Sequence, residues 1–374
     1  GRVAKPARSG EEGAAPTGGL NGAQRTAASA EEATVAVLAG PGTGKTHTLV
    51  ERVVWLVEER GAKPSELTAV TFTNRAAGEL RARLEGRLGK RAARAMTIGT
   101  FHAICLELLG DVPLAGPYEQ RAAAAAALAE LGRKGSHGAF LRAVSRHKTG
   151  ADGGDDPAFA LYQEKLEGKL DFDDLLLETL RQWEGGRSDR CFTHLLVDEF
   201  QDINQVQYEV IRMLAAPENN LFVVGDDDQS VYGFRGAKPG IMKDFMRDYP
   251  EAKCILLDIN YRSNAHIVKG ALRVIGHNKD RYEKEIQPFR EAQETVHVQE
   301  TLDPLDESKY ILKEIQKYMK KGVDLKQMAV LYRTGEDARV LAETFTQYQI
   351  PFSMKERIHH LYGHFVCTDM NCYF

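Results

Sequence analysis

A glycine-rich loop between an apolar run and an amphipathic run constrains this chain more than any other feature. Residues 40–44 read Gly-Pro-Gly-Thr-Gly, and Lys45 and Thr46 follow. Thr34–Ala39 predicts a buried strand before the loop, and residues 44–59 predict a helix after it. Small residues let backbone N–H groups close around an anion, and the helix N-terminus adds its dipole. The spacing therefore predicts a phosphate-binding loop.

The residues of this loop have separate expected roles. Lys45 would neutralise the β- and γ-phosphates of a nucleotide, and Thr46 would offer its hydroxyl to Mg²⁺. The usual pattern has glycine at position 39, where this chain has alanine. We expect ATP to contact the following residues: Gly40, Pro41, Gly42, Thr43, Gly44, Lys45, Thr46 and His47.

A second apolar strand, His194–Val197, ends in two carboxylates, Asp198 and Glu199. Asp198 can hold Mg²⁺ together with Thr46, and Glu199 can polarise an attacking water. An acidic pair at a strand end is often only a surface feature, but the phosphate-binding loop upstream favours the catalytic interpretation. The two motifs together predict nucleotide hydrolysis, and they do not indicate what the hydrolysis drives.

Strand and helix patterns alternate along much of the chain. Further strands are predicted at residues 67–73, 96–99, 221–224 and 254–257. This alternation favours an α/β fold in which a parallel sheet carries helices on both faces.

Residues 110–187 interrupt the alternation. They contain an alanine-rich helical run at 121–131 and an amphipathic run at 172–183, without a strand pattern. Because loops tolerate inserted segments, we predict a helical insertion within one α/β domain made of residues 20–109 and 188–278.

The two ends of the chain differ from the middle. Residues 1–19 have little apolar content, which predicts a disordered tail. Residues 279–374 predict the start of a second α/β unit, with a strand at 328–332 between helices at about 307–319 and 336–348.

Composition excludes some classes of protein. With 43% hydrophobic and 27% charged residues, the chain resembles ordinary globular proteins. It has no apolar run of about 18 residues, so no membrane span is predicted. Its five cysteines lack the spacing of a disulfide framework, which favours a reducing, cytoplasmic location.

Two clusters remain open to a structural or a functional interpretation. Residues 75–94 carry seven positive and two negative side chains, and charge alone favours a solvated helix face over a nucleic-acid contact. Near the C-terminus, a metal site and a chance grouping both fit a set of potential ligands, and chance is favoured: His359, His360, His364, Cys367 and Cys372.

Several short motifs surround the loop and the acidic pair: residues 20–24 (LNGAQ), 71–77 (TFTNRAA), 97–102 (TIGTFH), 198–202 (DEFQD), 225–236 (GDDDQSVYGFRG) and 260–264 (NYRSN). In this order, they resemble the motifs of superfamily 1 DNA helicases of the UvrD/Rep/PcrA type. The resemblance implies a RecA-like domain interrupted by helices, followed by the start of a second RecA-like domain.

The resemblance implies further roles around ATP. Gln24 would read the adenine edge, since its amide has both a donor and an acceptor. Tyr261 would pack on adenine, and Arg262 would approach the γ-phosphate, which Gln229 would sense. The family commonly has arginine where this chain has His47. The implied catalytic residues are Lys45, Asp198, Glu199, Gln229 and Arg262, with ATP and Mg²⁺ as cofactors.

The resemblance also implies contact with single-stranded DNA or a single/double-strand junction. Aromatic faces hold unpaired bases without regard to sequence, so Phe72 and Phe101 become candidates for stacking, although each by itself would favour the core. The family usually has tryptophan where this chain has Phe234. The implied DNA contacts are Thr71, Phe72, Asn74, Arg75, Thr100, Phe101, His102, Tyr232, Phe234 and Arg235.

The implied function is that of an ATP-dependent DNA helicase or translocase with 3′→5′ polarity. The motor portion of an AddA/RecB-like helicase–nuclease shares these motifs, and a nucleotide-gated DNA-binding module without motor activity is a third interpretation. Nothing after residue 333 resembles motifs V and VI, whose arginine accelerates phosphoryl transfer by about 10³–10⁵. From this we expect a truncated motor that binds ATP, hydrolyses it slowly and does not unwind DNA.

Overall fold

The computed structural model describes residues 19–354, apart from 152, 153, 155, 185–191, 231–236, 239 and 280. The chain divides into two compact units, Gly1–Thr295 and Val296–Phe374. Within the described ranges, no helix combines the length and apolar character that crossing a membrane requires.

A six-stranded sheet forms the centre of the first unit. Every neighbouring pair in it is parallel, in the order β3-β2-β4-β5-β1-β6. The strands are β1 (Thr34–Ala39), β2 (Leu67–Thr71), β3 (Thr97–Thr100), β4 (His194–Val197), β5 (Leu221–Gly225) and β6 (Lys253–Leu257). The predicted α/β fold with a parallel sheet is therefore confirmed.

Helices cover both faces of this sheet because the strands are apolar on both sides. Ala36 and Leu38 of β1 face one hydrophobic core, and Val35 and Val37 face the other. The helices that follow the first three strands, and the one before β1, are α1 (Gly22–Ala28), α2 (Lys45–Glu58), α3 (Asn74–Leu88), α4 (Lys90–Ala95) and α5 (Phe101–Leu109).

Four helices occupy the segment between β3 and β4 after α5: α6 (Pro117–Glu130), α7 (His137–Lys148), α8 (Pro157–Lys165) and α9 (Phe172–Glu184). Two of them, α7 and α8, have no counterpart among the sequence-based predictions. They pack in a separate core around Phe140 and Tyr162.

A buried lysine joins three of these helices. Lys148 Nζ at the end of α7 lies 2.7 Å from Asp171 Oδ2 and 2.7 Å from Asp174 Oδ1. It also donates to Gln163 Oε1 of α8 at 2.8 Å, and Tyr162 Oη donates to Asp171 Oδ2 at 3.1 Å. The lysine is thus paired on several sides, as a buried charge requires.

The chain returns to the sheet through β4 and β5 and continues into a small parallel pair. The elements after β4 are α10 (Gln205–Ala215), α11 (Ile241–Asp248), β7 (Ile259–Asn264), α12 (Ala265–Ile275) and β8 (Gln287–Arg290). β7 follows β6 directly and pairs with β8, with Ile259 opposite Gln287 and Asn264 opposite Arg290.

The second unit contains α13 (Pro304–Lys320) and α14 (Asp337–Gln347), as predicted, and they share a small core that includes Leu312 and Phe345. The strand predicted at residues 328–332 is wrong. A strand needs a hydrogen-bonding neighbour, and among the described residues of this unit no segment provides one. Leu331, in the middle of the apolar run, is 95% exposed.

Candidate functional site

The glycine-rich loop lies at the carboxyl edge of the sheet, between β1 and α2. Gly42 and Gly44 have φ angles of +68° and +88°, a region that favours glycine. A Cβ atom on Gly42 would lie 2.7 Å from the Cβ of Arg262, and one on Gly44 would lie 2.6 Å from Nε2 of Gln24. The loop therefore needs glycine at both positions for its backbone shape and for the close approach of its neighbours.

Three side chains from three neighbouring strand ends meet above this loop. Lys45 Nζ, at the start of α2, lies 2.8 Å from Glu199 Oε2 and 3.4 Å from Gln229 Oε1. Glu199 follows β4 and Gln229 follows β5, which lies between β4 and β1 in the sheet. In open parallel sheets, ligands bind at this edge, so the predicted lysine, acid and glutamine are brought together where a nucleotide phosphate can bind.

The second carboxylate, Asp198, lies beside the loop threonine. Thr46 Oγ1 donates to Asp198 Oδ2 at 3.4 Å. Burial and the charge of Glu199 raise the pKa of Asp198 to about 6. A nearby cation favours the ionised form of such a buried carboxylate. Hydroxyl and carboxylate oxygens are also ligands that Mg²⁺ prefers. Thr46 and Asp198 thus fit a Mg²⁺ site.

Glu199 has the opposite electrostatic environment. Its burial opposes ionisation, but the charge and hydrogen bond of Lys45 outweigh that effect and hold its pKa below the usual value. Its backbone is left-handed, at φ 51° and ψ 45°, a conformation that costs a non-glycine residue of order 1 kcal/mol or more. The result is an ionised carboxylate turned toward the loop.

Gln201 connects the acidic motif to its neighbours, although sequence analysis assigned it no role. Its Nε2 donates to Glu199 Oε2 at 2.9 Å and to Asp202 Oδ2 at 3.3 Å. Its Oε1 accepts a hydrogen bond from the backbone N–H of Asp226 at 2.9 Å. The position of Gln201 within the motif at residues 198–202 could have indicated a role for it in the sequence. Only the fold shows which groups it joins.

Gln24 lies beneath the loop. Its Nε2 donates to the carbonyl of Thr43 at 2.9 Å, and its Oε1 accepts from the backbone N–H of Asn21 at 2.9 Å. The side chain is buried. These bonds support the loop, and the expected contact with adenine stays a prediction.

The segment β7 holds the outer side of the loop. Asn260 Nδ2 donates to the carbonyl of Pro41 at 2.5 Å, and Tyr261 N–H donates to the carbonyl of Gly42 at 3.0 Å. Asn260 Oδ1 accepts from the backbone N–H of Arg262 at 2.9 Å. Asn260 is therefore a positioning residue that sequence analysis quoted without assigning a role.

Tyr261 is placed between the loop and β8. Its Oη accepts from Asn21 Nδ2 at 2.7 Å, and its ring centroid lies 5.0 Å from that of Phe289. Arg262 is exposed, and its charge helps to keep the pKa of Glu199 low. The two residues predicted to reach adenine and γ-phosphate thus flank the loop, with His47 in the first turn of α2.

A second concave region, here named the insertion cleft, has a volume of about 490 Å³. Strand ends of the sheet line it on one side, and helices α7 and α9 line it on the other. Its lining includes the predicted DNA contacts Thr71, Phe72, Thr100, Phe101 and His102, together with Arg142, Arg146, Phe172, Asp173 and Asp202.

The aromatic side chains of the insertion cleft differ in exposure. Phe101 packs in the core and is 4% exposed, so it forms part of the floor. Phe172 at the start of α9 is 61% exposed and lies edge-on to His102, with ring centroids 5.7 Å apart. The more accessible ring thus comes from the inserted helices, which sequence analysis did not assign to DNA contact.

Other predicted DNA contacts lie elsewhere. Asn74 and Arg75 begin α3 on the exposed surface, where Arg75 Nε lies 2.9 Å from Glu79 Oε1. The following residues lie outside the described part of the chain: Tyr232, Phe234 and Arg235 of the predicted DNA contacts, and His359, His360, His364, Cys367 and Cys372 of the C-terminal cluster.

The clefts and motifs agree with comparisons to known families. The family model described as UvrD/REP helicase N-terminal domain matches residues 20–131 and 136–250. The model described as UvrD-like helicase C-terminal domain matches residues 255–368. The two matches therefore meet near β6, inside the first compact unit.

Curated relatives match over nearly the same length. An ATP-dependent DNA helicase PcrA from Staphylococcus epidermidis is 33% identical over 369 residues, covering 90% of this chain and 50% of the relative. A protein with the same name from Staphylococcus aureus is 32% identical over 369 residues, with the same coverage. The chain spans about half the length of these relatives.

The matched models, the relatives and the motifs at the sheet edge lead to one conclusion, which confirms the resemblance seen in the sequence. The chain belongs to the UvrD/Rep helicase family.

Proposed function

We propose that this protein hydrolyses ATP to drive movement on single-stranded DNA, as part of an ATP-dependent DNA helicase or translocase. One observation carries the proposal. Within the five residues that follow β4, Glu199 faces Lys45 of the phosphate loop, and Asp202 lines the insertion cleft. Gln201 hydrogen-bonds to both carboxylates. Gln201 therefore links the nucleotide site directly to the wall of the insertion cleft.

The chemistry proposed for the nucleotide site follows from its charges. The glycine-rich loop and Lys45 bind the β- and γ-phosphates of ATP, and Glu199, kept ionised by Lys45, orients and polarises the attacking water. Gln229 and Arg262 contact the γ-phosphate from either side of the loop. Thr46 and Asp198 would hold Mg²⁺, which would supply positive charge against the developing charge on the phosphates.

The insertion cleft is proposed as a binding site for single-stranded DNA. Arg142 and Arg146 supply positive charge on α7, and Phe72 and Phe172 supply aromatic surface. Grooves that combine positive charge with aromatic side chains hold single strands without sequence preference, and Asp173 and Asp202 add negative charge to the same cleft. The staphylococcal relatives are ATP-dependent DNA helicases, which favours DNA as the polymer and favours a helicase over a helicase–nuclease.

Turnover with and without DNA tests the proposal. The ATPase rate is measured with and without single-stranded oligonucleotide, for the wild type and for Lys45→Ala. We expect DNA to stimulate the wild type and Lys45→Ala to abolish turnover, which would contradict the slow hydrolysis expected from the sequence. Turnover near background with and without DNA would agree with that slow hydrolysis. Nucleotide-dependent DNA binding without turnover would instead support a DNA-binding module that does not move.

Movement and polarity need a separate measurement. Displacement of a labelled strand is followed on duplexes with a 3′ or a 5′ single-stranded tail. Preference for the 3′ tail would agree with the polarity that the family resemblance implies. Displacement from the 5′ tail alone would contradict that polarity, while stimulation of ATPase by DNA would still support the motor.

A further inference from the structure

Three consecutive aspartates follow β5 and precede the γ-phosphate sensor proposed above. They are Asp226, Asp227 and Asp228, and Gln229 comes next. Three carboxylates in a row repel one another, and partly buried carboxylates need cations close by. The cations come from a segment far along the chain, residues 281–284, which lies directly before β8.

Lys284 is the central cation of this cluster. Its side chain is 1% exposed, and its Nζ lies 2.5 Å from Asp226 Oδ1 and 3.0 Å from Asp228 Oδ2. It also forms an ion pair with Asp227. A lysine in such surroundings holds all three carboxylates in one arrangement.

Asp226 connects Lys284 to Gln229. Asp226 is fully buried. Its Oδ1 pairs with Lys284, and its Oδ2 accepts a hydrogen bond from Gln229 Nε2 at 2.6 Å. The other end of the glutamine amide, Oε1, is directed to Lys45 Nζ at 3.4 Å. The amide of Gln229 is therefore oriented by a carboxylate whose own position depends on Lys284.

The segment that carries Lys284 also leads to the strand of Arg262, the other residue proposed to contact the γ-phosphate. Beyond Lys284 it continues into β8, which pairs with β7, and β7 carries Arg262. Tyr282 N–H donates to Asp227 Oδ2 at 2.7 Å, five residues before that pairing begins at Gln287. One strap, residues 281–290, thus contacts the aspartate run at one end and the strand of Arg262 at the other.

We propose that Lys284 is a positioning residue for ATP hydrolysis, which orients Gln229 through Asp226 and so matches the amide to the γ-phosphate. The inference rests on the proposed function, and it assigns to Lys284 no contact with the nucleotide. Loss of Lys284 lowers the rate of hydrolysis in the bound complex and leaves nucleotide affinity nearly unchanged, because the phosphate loop and Lys45 remain.

Arg281 supplies a matched control. It pairs with the same cluster, donating to Asp228 Oδ1 at 2.7 Å and to Oδ2 at 2.6 Å. Among the described residues, however, the Gln229 side chain bonds to Asp226 and Lys45 and not to Asp228. Lys284→Met and Arg281→Met each remove one cation from the aspartate run, but only the first removes the partner of Asp226.

The test measures kcat and KM for DNA-stimulated ATPase and the dissociation constant for a slowly hydrolysed ATP analogue, using the full chain. For Lys284→Met we expect kcat to fall about 10- to 100-fold, as for other small misplacements of reacting groups, with affinity within about twofold of the wild type. Arg281→Met should keep kcat within about twofold of the wild type. Equal losses in both variants, or an unchanged kcat in Lys284→Met, would overturn the proposal.

A companion variant covers failure of Lys284→Met to fold, which a cooperative thermal transition monitors. Lys284→Met combined with Asp227→Asn keeps the net charge of the cluster, because one positive and one negative charge are removed. Asp226 still lacks its cation in this double variant. We expect the folded double variant to retain the low kcat, and wild-type turnover in it would overturn the proposal.

Hydrogen exchange separates this inference from the proposed function. If DNA does not stimulate turnover of the wild type, that result contradicts the proposed function but not the positioning role of Lys284. In that case, protection of residues 226–229 by the ATP analogue is compared among variants. Protection lost in Lys284→Met and kept in Arg281→Met supports the positioning role, and equal protection in both overturns it.

Discussion

The nucleotide site takes its residues from the ends of adjacent strands, whereas the insertion cleft takes its residues from strand ends and from helices inserted between β3 and β4. In the nucleotide site, Lys45 already contacts both Glu199 and Gln229. In the insertion cleft, the most accessible ring, Phe172, projects from α9 and touches His102 only edge-on. The first region is ordered by its own charges, and the second offers open surface to a polymer.

This difference teaches where each kind of variant should act. Side chains of the nucleotide site are linked in one network, so a single change there should affect chemistry strongly. Contacts in the insertion cleft are distributed over several side chains, so a single change should lower DNA affinity modestly.

Glu199→Gln should have the largest effect. The amide keeps the shape of the side chain but cannot accept a proton or polarise water as a carboxylate does. We expect kcat for ATP to fall by about 10²–10⁴, with DNA affinity unchanged, as measured by steady-state turnover and by fluorescence anisotropy of a labelled oligonucleotide. A variant that loses DNA affinity as strongly as turnover would show that the two regions are not separable in this way.

Lys148→Met should destabilise the inserted wall of the cleft. The lysine is paired with Asp171 and Asp174 in surroundings that exclude most water, and removing one partner of a buried ion pair costs about 3–5 kcal/mol. Thermal and urea unfolding measure the loss. Lys169→Met is the control, since its ion pair with Glu119 is well exposed and should contribute little to stability. Equal destabilisation by both would contradict the role of Lys148.

Phe172→Ala should weaken DNA binding without affecting nucleotide binding. Stacking of a base on an aromatic side chain contributes about 1–3 kcal/mol, and the ring of Phe172 is the more accessible one beside His102. Anisotropy titrations with an unstructured oligonucleotide measure the change. Tyr118→Ala removes an even more exposed ring, on α6, that does not line the cleft, and it should leave affinity unchanged.

Asp202 should give the smallest effect, seen as a pH dependence. Burial and the charge of Glu199 raise its pKa to about 6, so the carboxyl group loses its negative charge as pH falls through that value. Because DNA is an anion, affinity should rise as pH decreases from 7 to 5, by about 0.5–1 kcal/mol for one screened charge.

The variant Asp202→Asn isolates this contribution. Burial also lowers the pKa of His102 and raises that of Asp173, and both line the cleft. Their contributions remain in Asp202→Asn, so the difference in pH dependence between this variant and the wild type measures Asp202. Identical pH profiles in anisotropy titrations would contradict its titration in the cleft.

Much of the first unit was predictable from sequence. All six strands of the main sheet lie where apolar, β-branched runs predict them, and the glycine-rich loop and acidic pair occur at the expected strand ends. The prediction succeeds because a parallel strand buried on both faces must be apolar throughout, and that pattern is local. The apolar run at residues 328–332 shows the limit, because the same local pattern without a neighbouring strand remains outside any sheet.

The helices α7 and α8 show another limit. They pack in a core around Phe140 and Tyr162, and Lys148 pairs with carboxylates of residues more than twenty positions away. No local periodicity records such contacts. Gln201 and Asn260 were similarly visible in their motifs without a role, because their hydrogen bonds reach segments far away in sequence.

The sequence by itself determined the family, through the order of its motifs, and the α/β class, through its alternating strand and helix patterns. Spacing along one strand–loop–helix unit indicated the phosphate-binding loop, and the resemblance to the family implied the roles of Gln229 and Arg262. Tertiary structure alone decided which aspartate receives Lys284, which amide supports the loop and which ring of the insertion helices faces the strand ends. The physical reason is range. Backbone shape and hydrophobic pattern are properties of neighbouring residues, whereas ion pairs and cleft walls join residues that only the folded chain brings together.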